Sequence, residues 1–314
     1  MVQTGQMPDR MDWGIPDTAK KVQAQEAAVI GSKTAYNAHT LMPLFWLRVA
    51  LTLYGIGLLG AVMSLWVNRS KLTSIMLGAA GSGMVFHFVS LTEIVMLSDT
   101  AALSSLHQIE SFLAFLLMTF FLVVYGVYKT VSPGIAVFPL VFLLTLSAQT
   151  SAISNDASAS QVSNSWVNMH VGLILIGYSA LIFSFFASIL YLIQEKNLKA
   201  KGKKRSGFWS RLPALATIDE IGYRCLVFGF PFMTFGLISG SVLAEARFGT
   251  GFFRDPTILS AIVMWVLYTI LLYARWSAGW RGKRAAYMAA CAFCTALVVL
   301  AANGLSSVHR FVSP

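Results

Sequence analysis

The sequence predicts an all-α, polytopic membrane protein with about eight transmembrane helices, and two observations carry that prediction. Of the 314 residues, 56% are hydrophobic and only 11% are charged, whereas a soluble domain carries charge on about a quarter of its residues. The apolar residues are also gathered into successive runs, each near the ~20 residues that a bilayer span requires. These runs are apolar on most faces and lack the short alternating segments of a barrel, so helices are the spanning element.

Taken in order, residues 1–41 are polar and mixed in charge and are expected to form an outer N-terminal tail, with a short helix around Thr18–Ile30. No apolar core of signal-peptide type occurs in them, so insertion is expected to begin with the first span. Residues 42–313 form the predicted membrane domain. Its spans are read as Leu41–Val67, Leu72–Leu97, Ile109–Tyr128, Gly134–Gln149, Trp166–Ile193, Ile221–Ala244, Thr257–Trp276 and Ala285–Gly304. The fourth is the shortest and carries Pro139, which predicts a kink or tilt.

Net charge is +10, but in a membrane protein the placement of charge matters more than its sum. Loops after the odd-numbered spans hold Arg69, Lys71, Lys129, the cluster from Lys196 to Arg211, then Arg275, Arg281, Lys283 and Arg284. Outside the tail, the opposite side holds only Arg247, Arg254 and Arg310. The positive-inside rule therefore puts both termini and the 246–256 loop on the outer side. The basic 194–213 segment is expected to touch anionic membrane lipid, and no nucleic acid is expected as a partner. Cys225, Cys291 and Cys294 all lie in apolar runs, which argues against a disulfide framework. Small residues at a helix–helix contact explain C-A-F-C at 291–294. The chain has no P-loop, H-E-x-x-H, nucleophile elbow or C-x-x-C-H, so a hydrolase, an ATPase or self-attached c-type haem is not expected.

On this topology His39, His107, His170 and His309 fall at outer ends of spans, and His87 lies inside the second span. Between the sixth and seventh spans, residues 246–256 read A-R-F-G-T-G-F-F-R-D-P. Rings beside guanidinium groups suit a flat, apolar, doubly anionic ligand, and haem is one. His170 and His309 flank this loop and are candidate imidazole ligands to the iron, with Arg247 and Arg254 for the propionates and Phe248 and Phe252 to cover the ring. The competing reading is of interfacial histidines hydrogen-bonded to loop carbonyls. His87 is a candidate ligand to a second, embedded haem, or else a hydrogen-bonding residue facing Ser90, Thr92 or a neighbouring helix. His107 and Glu110 share a helix face and are expected to be solvated at the outer rim.

Several blocks resemble the cytochrome c assembly family, the haem-handling subunits of the system II synthase and their relatives. They are W-V-N-M-H-V-G-L-I-L-I-G-Y-S-A-L at 166–181, D-E-I-G-Y-R-C-L-V-F-G-F-P-F-M-T-F-G-L-I-S-G at 219–240, W-V-L-Y at 265–268, G-W-R-G at 279–282 and the terminal His309. The resemblance implies haem b, held non-covalently at the outer face by His170 and His309 and presented to apocytochrome c for thioether attachment. It also implies a second membrane subunit, at most a haem-handling share of a holocytochrome c synthase activity, and a bacterial inner (plasma) membrane location. The family's tryptophan-rich loop, W-G-x-x-W-x-W-D-P-x-E, keeps Gly249, Asp255 and Pro256 here. Phe248, Phe252 and Arg254 stand at its tryptophans, Ile258 at its acid, and Tyr273 where synthase members carry an intramembrane histidine. These departures fit a divergent, HemX-like branch, whose implied role is the alternative: non-catalytic support or regulation of haem supply or of a membrane assembly. A solute transporter is less well matched, because no internal repeat with broken helices is visible.

Overall fold

The structure is a computed structural model describing residues 42–67, 70–97, 103, 105–154, 165–199, 212–249 and 254–302; of residues 97, 151–154, 247, 248, 300 and 302 only the backbone is described. The tail with its expected helix, His39, Phe252 and His309 lie outside the described residues. The described residues form helices α1 (Met42–Met63), α2 (Ser70–Leu97), α3 (Leu106–Tyr128), α4 (Gly134–Ser154), α5 (Ser165–Lys199), α6 (Leu215–Phe248), α7 (Pro256–Trp276) and α8 (Lys283–Ala302). Among them, α1, α2, α3, α5, α6 and α7 are long and apolar enough to cross a bilayer. The chain is thus all-helical and polytopic. Pro139 sits within α4 without ending it.

Helix ends follow local chemistry. The backbone N–H of Ser105, ahead of α3, donates to the Gln108 side chain at 3.3 Å, half of a capping box. Lys129 closes α3 in the left-handed region (φ 52°) and returns its N–H to Tyr125 O at 2.8 Å. Gly249 closes α6 at φ 64°, where a side chain would be strained. Asp255 then starts α7: its carboxylate accepts the Thr257 N–H at 2.9 Å, and Pro256 occupies the first turn, where a missing N–H costs nothing.

The most extensive interface joins α5 and α6. Gly222, Gly229 and Gly236 recur every seven residues along α6 and meet Ala187, Ala180 and Ile174 of α5 in that order, so the two helices run antiparallel. A Cβ at Gly229 would lie 2.7 Å from Ala180 Cβ, and one at Gly177 3.0 Å from the backbone of Met233. Absent side chains let the backbones approach, which is how apolar helices gain packing energy where lipid offers as good a solvent as leucine. Larger residues fill the core on either side. Phe121, Phe138 and Tyr54 are buried among α1, α3 and α4; Tyr268, Met264 and the small residues Ala285, Ala289, Ala292 and Ala296 are buried between α7 and α8. Cys291 and Cys294 are exposed, so the contact expected of C-A-F-C belongs to the neighbouring alanines, offset around α8 from the thiols.

One end of the bundle is held by an ion pair. Arg275 near the end of α7 donates from both terminal nitrogens to the Asp219 carboxylate in the second turn of α6, at 3.1 and 2.9 Å, and Asp219 also accepts the Gly282 N–H at 3.2 Å. Arg275 further lies over the Tyr223 ring. Both partners are largely buried, their side chains 10% and 15% exposed. Removing one charge strands the other, which costs about 3 kcal/mol at such sites. Asp219→Ala should therefore lower the unfolding temperature of the purified protein clearly. Glu220→Ala, which breaks only the exposed pair with Arg224, should change it little. Thermal unfolding in detergent checks both.

Candidate functional site

The polar residues with the most chemistry lie where α5 begins and α6 ends. His170, in the second turn of α5, is half-buried against α6. Its Nδ1–H donates to the carbonyl of Gly236 at 2.8 Å, with the Ser239 hydroxyl 3.4 Å away. That bond fixes the neutral tautomer in which Nε2 carries the lone pair, the arrangement in which a histidine serves as a metal ligand. The imidazole can lie there because residue 240 is glycine: a Cβ would meet His170 Cε1 at 2.4 Å. The seam that packs α5 on α6 therefore also seats the imidazole. The carbonyl partner is in a helix rather than a loop, and the sequence carried no signal for Gly236 beyond its place in the seven-residue glycine spacing.

The other anticipated residues are placed as follows. Arg254 precedes α7 and is exposed, and Asp255 is buried as the N-cap of that helix. Arg247 and Phe248 close α6 with only their backbone described. The antiparallel run of α5, α6 and α7 puts Arg254, the end of α6 and His170 at one end of the bundle. His87 is fully buried among α1, α2 and α3, with Nδ1 3.3 Å from the Tyr54 hydroxyl and Nε2 2.9 Å from the Ser111 hydroxyl. Both ring nitrogens thus have hydroxyl partners on neighbouring helices. Ser90, on the same helix, donates to Pro43 O instead. His107 and Glu110 are half-buried rather than solvated: His107 Nε2 lies 3.4 Å from Ser105 Oγ, and one Glu110 oxygen is enclosed without a described partner. No cluster of three or more metal-ligating side chains occurs among the described residues.

A profile of the family described as Cytochrome C assembly protein matches residues 76–310. The chain belongs to that family. It is similar to "Cytochrome c biogenesis protein CcsA" of Chlamydomonas reinhardtii, 35% identical over 153 residues, covering 47% of this chain and 42% of that protein. The protein of the same name from Heterosigma akashiwo is 30% identical over 226 residues, 61% of this chain and 70% of the relative. The one from Guillardia theta is 32% identical over 211 residues, 61% and 69%. The chain thus spans well under half of the first relative and about 70% of the other two.

Family membership gives the sequence blocks a physical reading. The 219–240 and 265–268 blocks meet where Trp265 Nε1 donates to Thr234 Oγ1 at 2.9 Å. Asp219 and Gly282 bring the first of these blocks to the 279–282 block. Ile258, which stands where the resemblance implies an acid, is buried with Ala244 and packed against Ile262, described surroundings that suit an aliphatic side chain. Tyr273 is 68% exposed on the outward face of α7.

Gly240→Ala should push the His170 ring off the Gly236 carbonyl, at an overpacking cost of about 1–3 kcal/mol. The imidazole should then react with diethylpyrocarbonate severalfold faster, as read by mass spectrometry. An unchanged rate would mean that the ring is held by something other than this contact.

Proposed function

We propose that this protein takes part in cytochrome c biogenesis by binding haem b at the His170 end of the bundle and presenting it to apocytochrome c. The observation that carries the proposal is the Nδ1–H of His170 donated to the Gly236 carbonyl at 2.8 Å: it orients the ring and leaves its lone pair on Nε2. Membership of the family and likeness to relatives named for cytochrome c biogenesis support the reading. His309 is proposed as the second imidazole that would hold the haem iron. Arg247 and Arg254 are proposed for the propionates, and Phe248 and Phe252 for the ring faces. The buried Asp255 contributes by starting α7 directly after the loop. His87, with both nitrogens hydrogen-bonded, is assigned to packing of α1, α2 and α3 rather than to a second haem.

Bound haem would supply the vinyl groups to which a partner's cysteine thiols add. The chain's part is to hold the iron through imidazole, orient the ring against its loop and admit the partner. In keeping with this division of labour, the protein is proposed to act with a second membrane subunit. The His170 end is proposed to face outward from a bacterial plasma membrane, because Lys71, Lys129, Lys196, Arg275, Lys283 and Arg284 lie at the opposite helix ends.

The purified full chain, supplemented with haem, should show a low-spin spectrum in both oxidation states. His170→Ala with His309→Ala should abolish it while leaving helix content unchanged. Acidification through the imidazole range should weaken the spectrum, since only neutral imidazole ligates; the effect should reverse on returning the pH and be absent at alkaline pH. A colourless wild-type protein would direct the role to the HemX-like alternative, support of an assembly without haem.

A further inference from the structure

At the end opposite His170, a cavity of about 670 Å³ opens between the opening turns of α6 and the end of α7, lined by Asp219, Tyr223, Arg275, Trp276, Trp280 and Arg281 among others. None of the haem chemistry above uses it. Its charges do not cancel. Asp219 is neutralised by Arg275, and Glu220, at the rim, by Arg224. Arg281 has no ion-pair partner among the described residues, and Lys283 and Arg284 follow it after Gly282. An uncompensated guanidinium beside a dense basic run selects an anion.

The walls narrow the choice. Trp276 is 83% exposed, and Tyr273, three residues back on α7, is 68% exposed, so the face of α7 beside the cavity turns away from the bundle. In a spanning protein that face meets lipid. Trp280 is half-buried in the cavity wall. The site therefore lies at the helix ends, where head groups sit and where tryptophan and tyrosine are enriched. A volume of this size holds a head group with its glycerol, far more than an inorganic ion needs.

We propose that this cavity is a binding site for an anionic glycerophospholipid, with Arg281 drawing the phosphate and Trp280 and Trp276 lying against the glycerol and upper acyl chains. Basic pockets between spanning helices at the positively charged side of a membrane protein suit such head groups. The Asp219–Arg275 pair acts as the floor: it ties α6 to α7 and fixes the distance between the walls.

The test uses the full chain, delipidated in detergent and titrated with short-chain phosphatidylglycerol, short-chain phosphatidylcholine or inorganic phosphate, with bound lipid counted by native mass spectrometry. Phosphatidylglycerol should bind more tightly than phosphatidylcholine. Arg281→Gln should weaken it about fivefold, and Trp280→Leu should weaken it as well. Lys71→Gln removes the same charge from the start of α2, outside the cavity lining, and should leave binding unchanged. Equal binding of the two lipids would overturn the proposal, as would equal losses from Arg281→Gln and Lys71→Gln, which would mean diffuse attraction to a basic surface. If inorganic phosphate at millimolar concentration displaces the lipid as well as unlabelled lipid does, the site takes a free anion and the lipid assignment fails.

Discussion

The close approach of α5 to α6 is the constraint on which the rest of this structure depends. Two apolar helices in lipid gain nothing from hydrophobic exclusion and hold together through packing, which improves as their backbones near one another. Gly222, Gly229 and Gly236, with Gly177 across from them, remove the side chains that would keep the helices apart. The same geometry brings the Gly236 carbonyl within reach of His170 and clears the space that a side chain at residue 240 would fill. Packing and site chemistry are thus one feature. A substitution that loosened the seam would disturb the imidazole without touching it.

The two ends of the bundle are built differently. At one end the chain spends its polarity on shape: Asp219, Arg275 and the Gly282 N–H lock the start of α6 to the end of α7 and the turn into α8. At the other end, Gly249 stops α6 and Asp255 starts α7 within a few residues. Arg254, just ahead of Asp255, therefore lies at the same end of the bundle as His170. Gly249, Asp255 and Pro256 thus set the backbone where α6 stops and α7 starts.

Much of this was legible in the sequence. The helices lie within a few residues of the apolar runs, because a bilayer span is set by length and hydrophobicity and little else. The largest extensions, α5 to Lys199 and α6 back to Leu215, fall in amphipathic and charged turns that hydropathy discounts. His170 could be singled out as a histidine beginning a span, but its partner could not, since a backbone carbonyl leaves no mark on residue type. Burial of individual positions was equally hidden. His107 and Glu110 share one face of α3, but which neighbours enclose that face depends on packing, and the side that Cys291 and Cys294 occupy depends on which stripe of α8 carries the alanines. Ile258 and Tyr273 read only as departures from a pattern until the structure showed one enclosed and the other turned outward.

The central proposal is that the imidazole held by the Gly236 carbonyl would ligate haem iron, and a ligand-replacement experiment on His170→Gly tests it most directly. The variant leaves a space of imidazole size on α6, and the haem-supplemented protein should lose its low-spin spectrum. Added free imidazole should restore that spectrum in the variant and change nothing in the wild type. A variant that keeps a full low-spin spectrum without imidazole would show that the iron is held elsewhere and would contradict the account.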